Sequence, residues 1–144
     1  MLRLRTLGVV VSFGILAAAA PTADAESRHL SLGEIAVVAK APARDMKPSL
    51  KSALDAEMRE LDLRTARKDA VLSVSLVKLD TEQQRGGASA TCVISATLRS
   101  RDGGTIFAIL EGRARAQGAG GHVDESALRG AVHGALSRVP EALK

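Results

Sequence analysis

Two segments of alternating residues stand on either side of a glycine turn, and together they predict a β-hairpin. The segments are ASATCVISATLRSR (88–101) and TIFAILEGRARAQ (105–117), and most of their even-numbered positions are small or apolar. Because successive side chains point to opposite faces of a strand, even positions must pair with even positions to form one apolar face. This register sets Arg101 opposite Thr105 and leaves a three-residue loop. Its last residue, Gly104, suits the left-handed conformation that such loops commonly need.

Two amphipathic helices are predicted from apolar residues that recur every three or four positions. The first runs from Pro48 to Leu61, and the apolar stripe of the second covers Leu128 to Val139. Pro48 suits the first turn of a helix, where a missing amide hydrogen costs no hydrogen bond. Asp124 is predicted to cap the second helix, and Pro140 is predicted to end it.

Two further segments, EIAVVA (34–39) and AVLSVSLVKL (70–79), have the composition of β-strands. The predicted order of elements is therefore β-α-β-β-β-α. A strand followed by a helical crossover lies parallel to its neighbour with a right-handed connection, whereas the later strands form an antiparallel meander. The sequence predicts an α+β fold, a two-layer α/β sandwich in which two helices cover one face of a four-stranded mixed sheet.

The start of the chain has the parts of a secretory signal peptide. Arg3 and Arg5 precede an apolar run of 14 residues (7–20), and the small residues Ala23 and Ala25 fit a cleavage site. A membrane span needs about 20 apolar residues, so we expect cleavage after Ala25 and no stable membrane insertion afterwards. The predicted product is exported, either periplasmic or secreted.

The predicted organisation has three parts: a cleaved signal peptide (1–25), a flexible leader (26–33) and a single α/β domain (34–144). No cysteine follows the apolar run where a lipobox would place one, so a lipid anchor is not expected. Cys92 is the single cysteine of the chain, and an intramolecular disulfide is therefore excluded.

The composition argues against a nucleic-acid partner. The formal net charge is only +4, and the chain has no tryptophan, no tyrosine and two phenylalanines. Proteins that bind single-stranded nucleic acid stack the bases on aromatic side chains, and such a platform is missing here. A mild charge without blocks of like sign favours solubility rather than a polyanionic partner.

No residue pattern predicts a cofactor, a metal ion or a catalytic group. The loop GAGGHVD (118–124) has valine where a dinucleotide-binding loop needs its third glycine, so we interpret it as a turn. His122 and His133 lie 11 residues apart, about 16 Å along a helix, and cannot share one metal ion. Cys92 lies on the apolar face of its strand, where a thiol acts as a small buried hydrophobe.

Five residues are predicted as contacts for a partner or a ligand. Glu111, Arg113 and Arg115 form a charged row on one face of the last strand. This row either grips an acidic ligand or partner, or is the solvated side of a half-buried strand. Gly130 and Gly134 lie four residues apart in the last helix, where each costs about 1 kcal/mol relative to alanine. Another backbone is expected to approach them closely, either within the fold or from a partner.

The order of elements and the predicted export resemble the small α/β modules of bacterial envelope accessory proteins. The segments that carry this resemblance are EIAVVA, PSLKSALDAEMREL, DAVLSVSLVKL, the hairpin of residues 92–117 and DESALRGAVHGAL. Modules of this kind occur as the amino-terminal domain of the Tol-system propeller protein and in the curli-secretion lipoprotein type. The chain departs from many of them by lacking a lipobox cysteine. The resemblance implies a binding module rather than an enzyme.

The main functional hypothesis is a non-catalytic, exported protein-interaction module that is accessory to an envelope assembly. It would bind an envelope protein through an exposed sheet edge or through the glycines of the last helix, and homo-oligomerisation is left open. The alternative is a binding protein that holds a small anionic ligand with Arg113 and Arg115. An enzyme would have to rely on Cys92 or on the histidines, and we therefore expect none.

Overall fold

A computed structural model describes residues 29–40 and 44–144 of the chain. The predicted signal peptide and the first part of the predicted leader lie outside the described residues. The helices and strands, in chain order, are β1 (Leu30–Val37), α1 (Lys47–Glu60), β2 (Ala70–Gln84), β3 (Gly87–Ser100), β4 (Ile106–Gly118), α2 (Val123–Leu136) and the single turn α3 (Val139–Ala142).

The four strands form one mixed sheet in the order β1-β2-β3-β4. β1 is parallel to β2, and the other two neighbouring pairs are antiparallel. α1 and α2 pack beside each other, with α2 over β3 and β4 and α1 next to β1. The predicted α+β fold, with its order β-α-β-β-β-α, is confirmed.

The hairpin of β3 and β4 has the predicted register through most of its length, with Cys92 opposite Ala114. Near the turn a bulge in β4 shifts the pairing by one residue. The amide of Ser100 then donates to the carbonyl of Thr105 at 2.8 Å. The loop therefore has four residues, and the predicted three-residue loop is wrong, because the bulge adds a residue that strict alternation does not foresee. Gly104 does adopt the left-handed conformation, with φ of 68°.

β1 begins four residues earlier than predicted, at Leu30, which is opposite Ala70 and 1% exposed. The segment from Leu30 to Gly33 therefore belongs to the sheet and not to a flexible leader. A bulge between Leu32 and Ile35 explains the error. It reverses the alternation of side chains within the strand, so the alternation in the sequence does not identify the first half as part of the same strand. Gly33 suits this site, since a Cβ there would lie 2.7 Å from a methyl carbon of Val71.

β2 continues to Gln84, five residues beyond its predicted end, where it pairs with Gly87. The residues that follow the predicted strand therefore also belong to β2. A bulge at Val77 lets Leu76 and Leu79 both face the core, although they are three residues apart. Val77 itself is 46% exposed on the opposite face.

Both predicted helices are present, and their buried residues join one hydrophobic core with the inner face of the sheet. α1 buries Leu50, Ala53, Leu54 and Met58, as its apolar stripe predicts. Among the described residues, no helix is long and apolar enough to cross a membrane.

The two ends of α2 differ from the prediction. The helix begins at Val123 with His122 at the N-cap, and Asp124 lies inside the first turn. The Asp124 carboxylate accepts the amide of Glu125 at 2.9 Å, and its charge suits the positive end of the helix dipole. α2 ends at Leu136, and Pro140 lies in α3. The chain therefore turns before the proline.

Candidate functional site

β4 lies at an edge of the sheet, and all five predicted contact residues lie on it or over it. Within the described part of the chain, only β3 pairs with β4. Glu111, Arg113 and Arg115 are exposed on the face that no helix covers, while Gly130 and Gly134 lie over β4 on α2. We call the outer side of β4, together with these two glycines, the β4 edge.

The charged row on β4 is open to solvent. The Arg113 guanidinium lies 3.5 Å from the Glu111 carboxylate, and these side chains are 70% and 61% exposed. Arg115 donates to the hydroxyl of Ser89 on β3 at 3.5 Å. Exposed pairs of this kind contribute little to folding, roughly 0 to 1 kcal/mol. The row therefore adds little to the stability of the fold.

Apolar side chains occupy the other end of β4. Ile106, Phe107 and Ile109 are 48%, 36% and 68% exposed. The Lys68 ammonium lies 5.4 Å from the centre of the Phe107 ring, within the range of a cation–π contact. The exposed side of β4 thus changes from apolar near the turn to charged near its end.

The helix-facing side of β4 is closely packed against α2. A Cβ at Gly112 would overlap the Ala131 carbonyl oxygen and lie 2.7 Å from the backbone nitrogen of Ala135. A Cβ at Gly130 would lie 2.8 Å from the Cβ of Ala114. Contact within the fold therefore explains why position 130 is a glycine. This is one of the two explanations predicted from the sequence, the other being contact with a partner.

Gly134 has more room than Gly130. Its nearest neighbour to an added Cβ is the Cα of Gly112 at 3.7 Å, an ordinary contact distance. Packing within the chain therefore does not require a glycine at this position. Gly112 was missed by the sequence analysis as a special residue, although a glycine inside a strand commonly marks a close backbone approach.

Cys92 is a core residue. Its exposure is 0%, and it lies between Leu79 on β2 and Ala114 on β4. Burial raises the pKa of the Cys92 thiol to about 12. The thiolate, which is the nucleophile in cysteine chemistry, is thus disfavoured at neutral pH.

The histidines lie at three separate places and each has a carboxylate nearby. His29 contacts Asp69 at 2.7 Å, His122 lies 3.8 Å from Glu125, and His133 contacts Glu57 on α1 at 3.0 Å. Among the residues that the structure describes, no group of three or more histidine, cysteine or acidic side chains is placed to hold a metal ion.

A groove of about 500 Å³ runs between α1 and α2. Pro48, Ser52 and Glu57 line one side, and Leu128 and Arg129 line the other. The groove is on the helical side of the molecule, away from the charged row of β4. Arg113 and Arg115 therefore do not contribute to it.

No protein-family model matches this sequence, and no curated protein matches it. Solved structures do. The PelC dodecamer from Paraburkholderia phytofirmans is 16% identical, with 75% of this chain and 85% of that chain covered and a TM-score of 0.51. A candidate lipoprotein from Caulobacter crescentus CB15 is 10% identical, with 74% and 82% covered and a TM-score of 0.37. A minor lipoprotein from Acinetobacter baumannii is 10% identical, with 76% and 89% covered and a TM-score of 0.28.

The likeness to PelC shows a shared fold at low sequence identity, and the other two scores are too low to carry an argument. None of the three is a Tol-system propeller protein or a curli-secretion lipoprotein. The resemblance drawn from the order of elements therefore extends to the fold, and not to those two families.

Proposed function

We propose that this chain is a non-catalytic, exported protein-interaction module that is accessory to a bacterial envelope assembly. The observation that carries this proposal is the β4 edge. Strand β4 has 13 residues and no proline, and within the described residues its outer side has no strand partner. Unpaired edge strands offer a row of backbone donors and acceptors to another chain.

The other edge of the sheet is less suited to strand addition. β1 has only 8 residues and carries the bulge between Leu32 and Ile35. Short, bulged strands are a common protection against pairing with another chain. β4 has its bulge next to the turn, at Phe107, so the strand from Ala108 to Gly118 is regular. This contrast favours β4 as the surface that a partner uses.

The state of the reactive groups supports a non-catalytic role. Cys92 is fully buried, and its pKa is raised to about 12. A catalytic cysteine needs the opposite, a lowered pKa and access to substrate. The histidines are each near a different carboxylate, so they do not converge on a common site.

The geometry favours a protein partner over a small anion. Arg113 and Arg115 project from an open strand, and Arg113 already has Glu111 within 3.5 Å. Sites for small ligands are concave and bury most of the ligand surface. A flat row beside an unpaired strand suits the extended surface of another protein.

The fold comparison and the predicted signal peptide support the envelope setting. The chain shares its fold with PelC, a protein that forms a dodecamer, and this likeness supports self-association as part of the proposed function. The predicted signal peptide of residues 1–25 supports export to the periplasm or beyond.

Site-specific photo-crosslinking in the native host tests this function. A photoreactive phenylalanine analogue replaces Ile109 on β4, and the control replaces Lys51, which is exposed on α1. We expect an adduct with an envelope protein from position 109 and not from position 51. Adducts are identified by mass spectrometry. Equal labelling from both positions, or no adduct with another protein, would contradict the proposal.

A further inference from the structure

We propose that two copies of this chain pair through β4, antiparallel, about a two-fold axis beside Gly112. The two sheets then form one sheet of eight strands. This inference rests on the interaction role proposed above and deepens it: a second copy pairs with the backbone of β4, and the open face of the joined sheet is the surface left to an envelope protein. An interface about a two-fold axis must be self-complementary, and β4 has this property on both of its faces.

The charged row is self-complementary on the open face. With Gly112 opposite Gly112 of the second copy, Glu111 faces Arg113 of that copy, and the same pair forms again across the axis. Both side chains are more than half exposed in the single chain. Opposite charges directly across a strand pair are stabilising, and like charges are destabilising.

The charges also favour this register over the two registers whose axis lies one residue away. An axis beside Glu111 would set Glu111 opposite its own copy, and an axis beside Arg113 would do the same for Arg113. Both arrangements place like charges opposite each other. With the axis at Gly112, Ile109 lies opposite Arg115 of the second copy, whose aliphatic stem can cover the 68% exposed isoleucine.

The helical face of the strand brings small residues of α2 to the same axis. Gly112 lies under the segment of α2 from Ala131 to Ala135, so an axis beside Gly112 brings the α2 helices of both copies together at this height. The flank of α2 on this side carries Gly130 and Gly134, while His133 points away to Glu57 on α1. Small residues on this flank let two helices approach closely.

The contact between the two α2 helices explains why position 134 is a glycine, which packing within one chain does not explain. A methyl group at this position has ordinary space in the single chain, yet glycine costs a helix interior about 1 kcal/mol relative to alanine. Close approach of a second α2 accounts for this cost. The open face and the helical face of β4 therefore point to the same axis.

Molecular mass in solution is the first test, on protein produced from the full-length chain and purified after export. We expect sedimentation equilibrium to give twice the mass of one chain. Glu111→Arg and Arg113→Glu should each weaken the dimer at least about tenfold, a change of 1.4 kcal/mol. The double variant E111R/R113E should restore it, because exchanged charges still face each other. A single-chain mass, or single variants that dimerise normally, overturns the inference.

Disulfide trapping tests the register. Glu111→Cys and Arg113→Cys variants are mixed and oxidised with oxidised glutathione. The mixture should give a disulfide-linked pair, because residues directly opposite lie about 5 Å apart between Cβ atoms. Each variant alone should link poorly, since its two cysteines are diagonal neighbours. Equal linking of the single variants and the mixture would contradict an axis beside Gly112.

The helix contact has its own variant. Gly134→Ala should keep the fold, measured by circular dichroism, and weaken the dimer; an unchanged dimer would contradict the helix contact. The self-pairing and the proposed function fail separately. A single-chain mass together with an envelope adduct at position 109 rejects the dimer and keeps the interaction role. A dimer without an envelope adduct at position 109 keeps the dimer and rejects the role in an envelope assembly.

Discussion

The two faces of the sheet are built by the same strands but are subject to different constraints. On the covered face, Leu72, Leu76, Ile94 and Leu98 are fully buried under the helices. On the open face, the positions between them are Ser73, Ser75, Ser95 and Thr97, all only partly buried. Side-chain shape limits which residues fit the covered face, and solvation limits which residues suit the open face. A surface for partners can therefore change on the open face without loss of the fold.

β4 shows this difference within neighbouring residues. Gly112 is in contact with the backbone of α2, whereas Arg113 next to it is 70% exposed. The first position admits no other side chain without movement of the helix. The second can exchange its charge at little cost to folding. Variants at matched positions on the two faces test how sharp this division is.

The largest expected effect is at Gly112. Gly112→Ala should lower the free energy of unfolding by about 3 kcal/mol, because the methyl group must displace the backbone of α2 at Ala131 and Ala135. Gly120→Ala is the control, since an added Cβ there has no neighbour within 4 Å. Urea denaturation measures both. Equal stability of the two variants would show that α2 is not held against β4 as described.

Two adjacent residues of β2 give the next comparison. Leu76 is 0% exposed and Val77 is 46% exposed, because the bulge turns Val77 to the open face. Leu76→Ala should cost about 3 kcal/mol, and Val77→Ala about 0.5 kcal/mol. The same denaturation measurement compares them. A larger loss at Val77 than at Leu76 would place the bulge elsewhere.

Cys92 and Ser95 extend the comparison to β3. Cys92→Ser should cost about 2 kcal/mol, because it buries a hydroxyl group among apolar side chains. Ser95→Ala, on the open face of the same strand, should change stability by no more than about 0.5 kcal/mol. Thermal unfolding followed by circular dichroism measures both. A neutral Cys92→Ser would mean that the hydroxyl finds a partner inside the core.

The sequence predicted the covered face well because alternation reports burial directly. The even positions of β3 and β4 are paired as predicted, since the alternative register would set Cys92 opposite Arg113. The errors in the strands come from bulges, at Gly33–Glu34, Val77 and Phe107. A bulge reverses the alternation, and its position depends on the neighbouring strand rather than on local sequence.

The candidate site was predicted in part for a related reason. The exposure of Glu111, Arg113 and Arg115 follows from strand alternation, and the structure places them as expected. The importance of Gly112 depends on where α2 crosses β4, a contact between residues about 20 positions apart. The distinction between Gly130 and Gly134 depends on the same crossing. The spacing of residues along one helix cannot reveal where that helix crosses a strand.

The smallest expected effect is a gain in stability at Gly134. Gly134→Ala should raise the free energy of unfolding of the single chain by about 0.5 to 1 kcal/mol, because alanine favours the helix and its methyl group has room at 3.7 Å. Gly130→Ala is the matched control, since its methyl group would lie 2.8 Å from Ala114 and the crowding offsets the helical gain. Urea denaturation of dilute protein measures both variants below the range of self-association. A loss of stability at Gly134 equal to that at Gly130 would show that the fold itself requires both glycines, and the division between the two faces would then extend across the whole flank of α2.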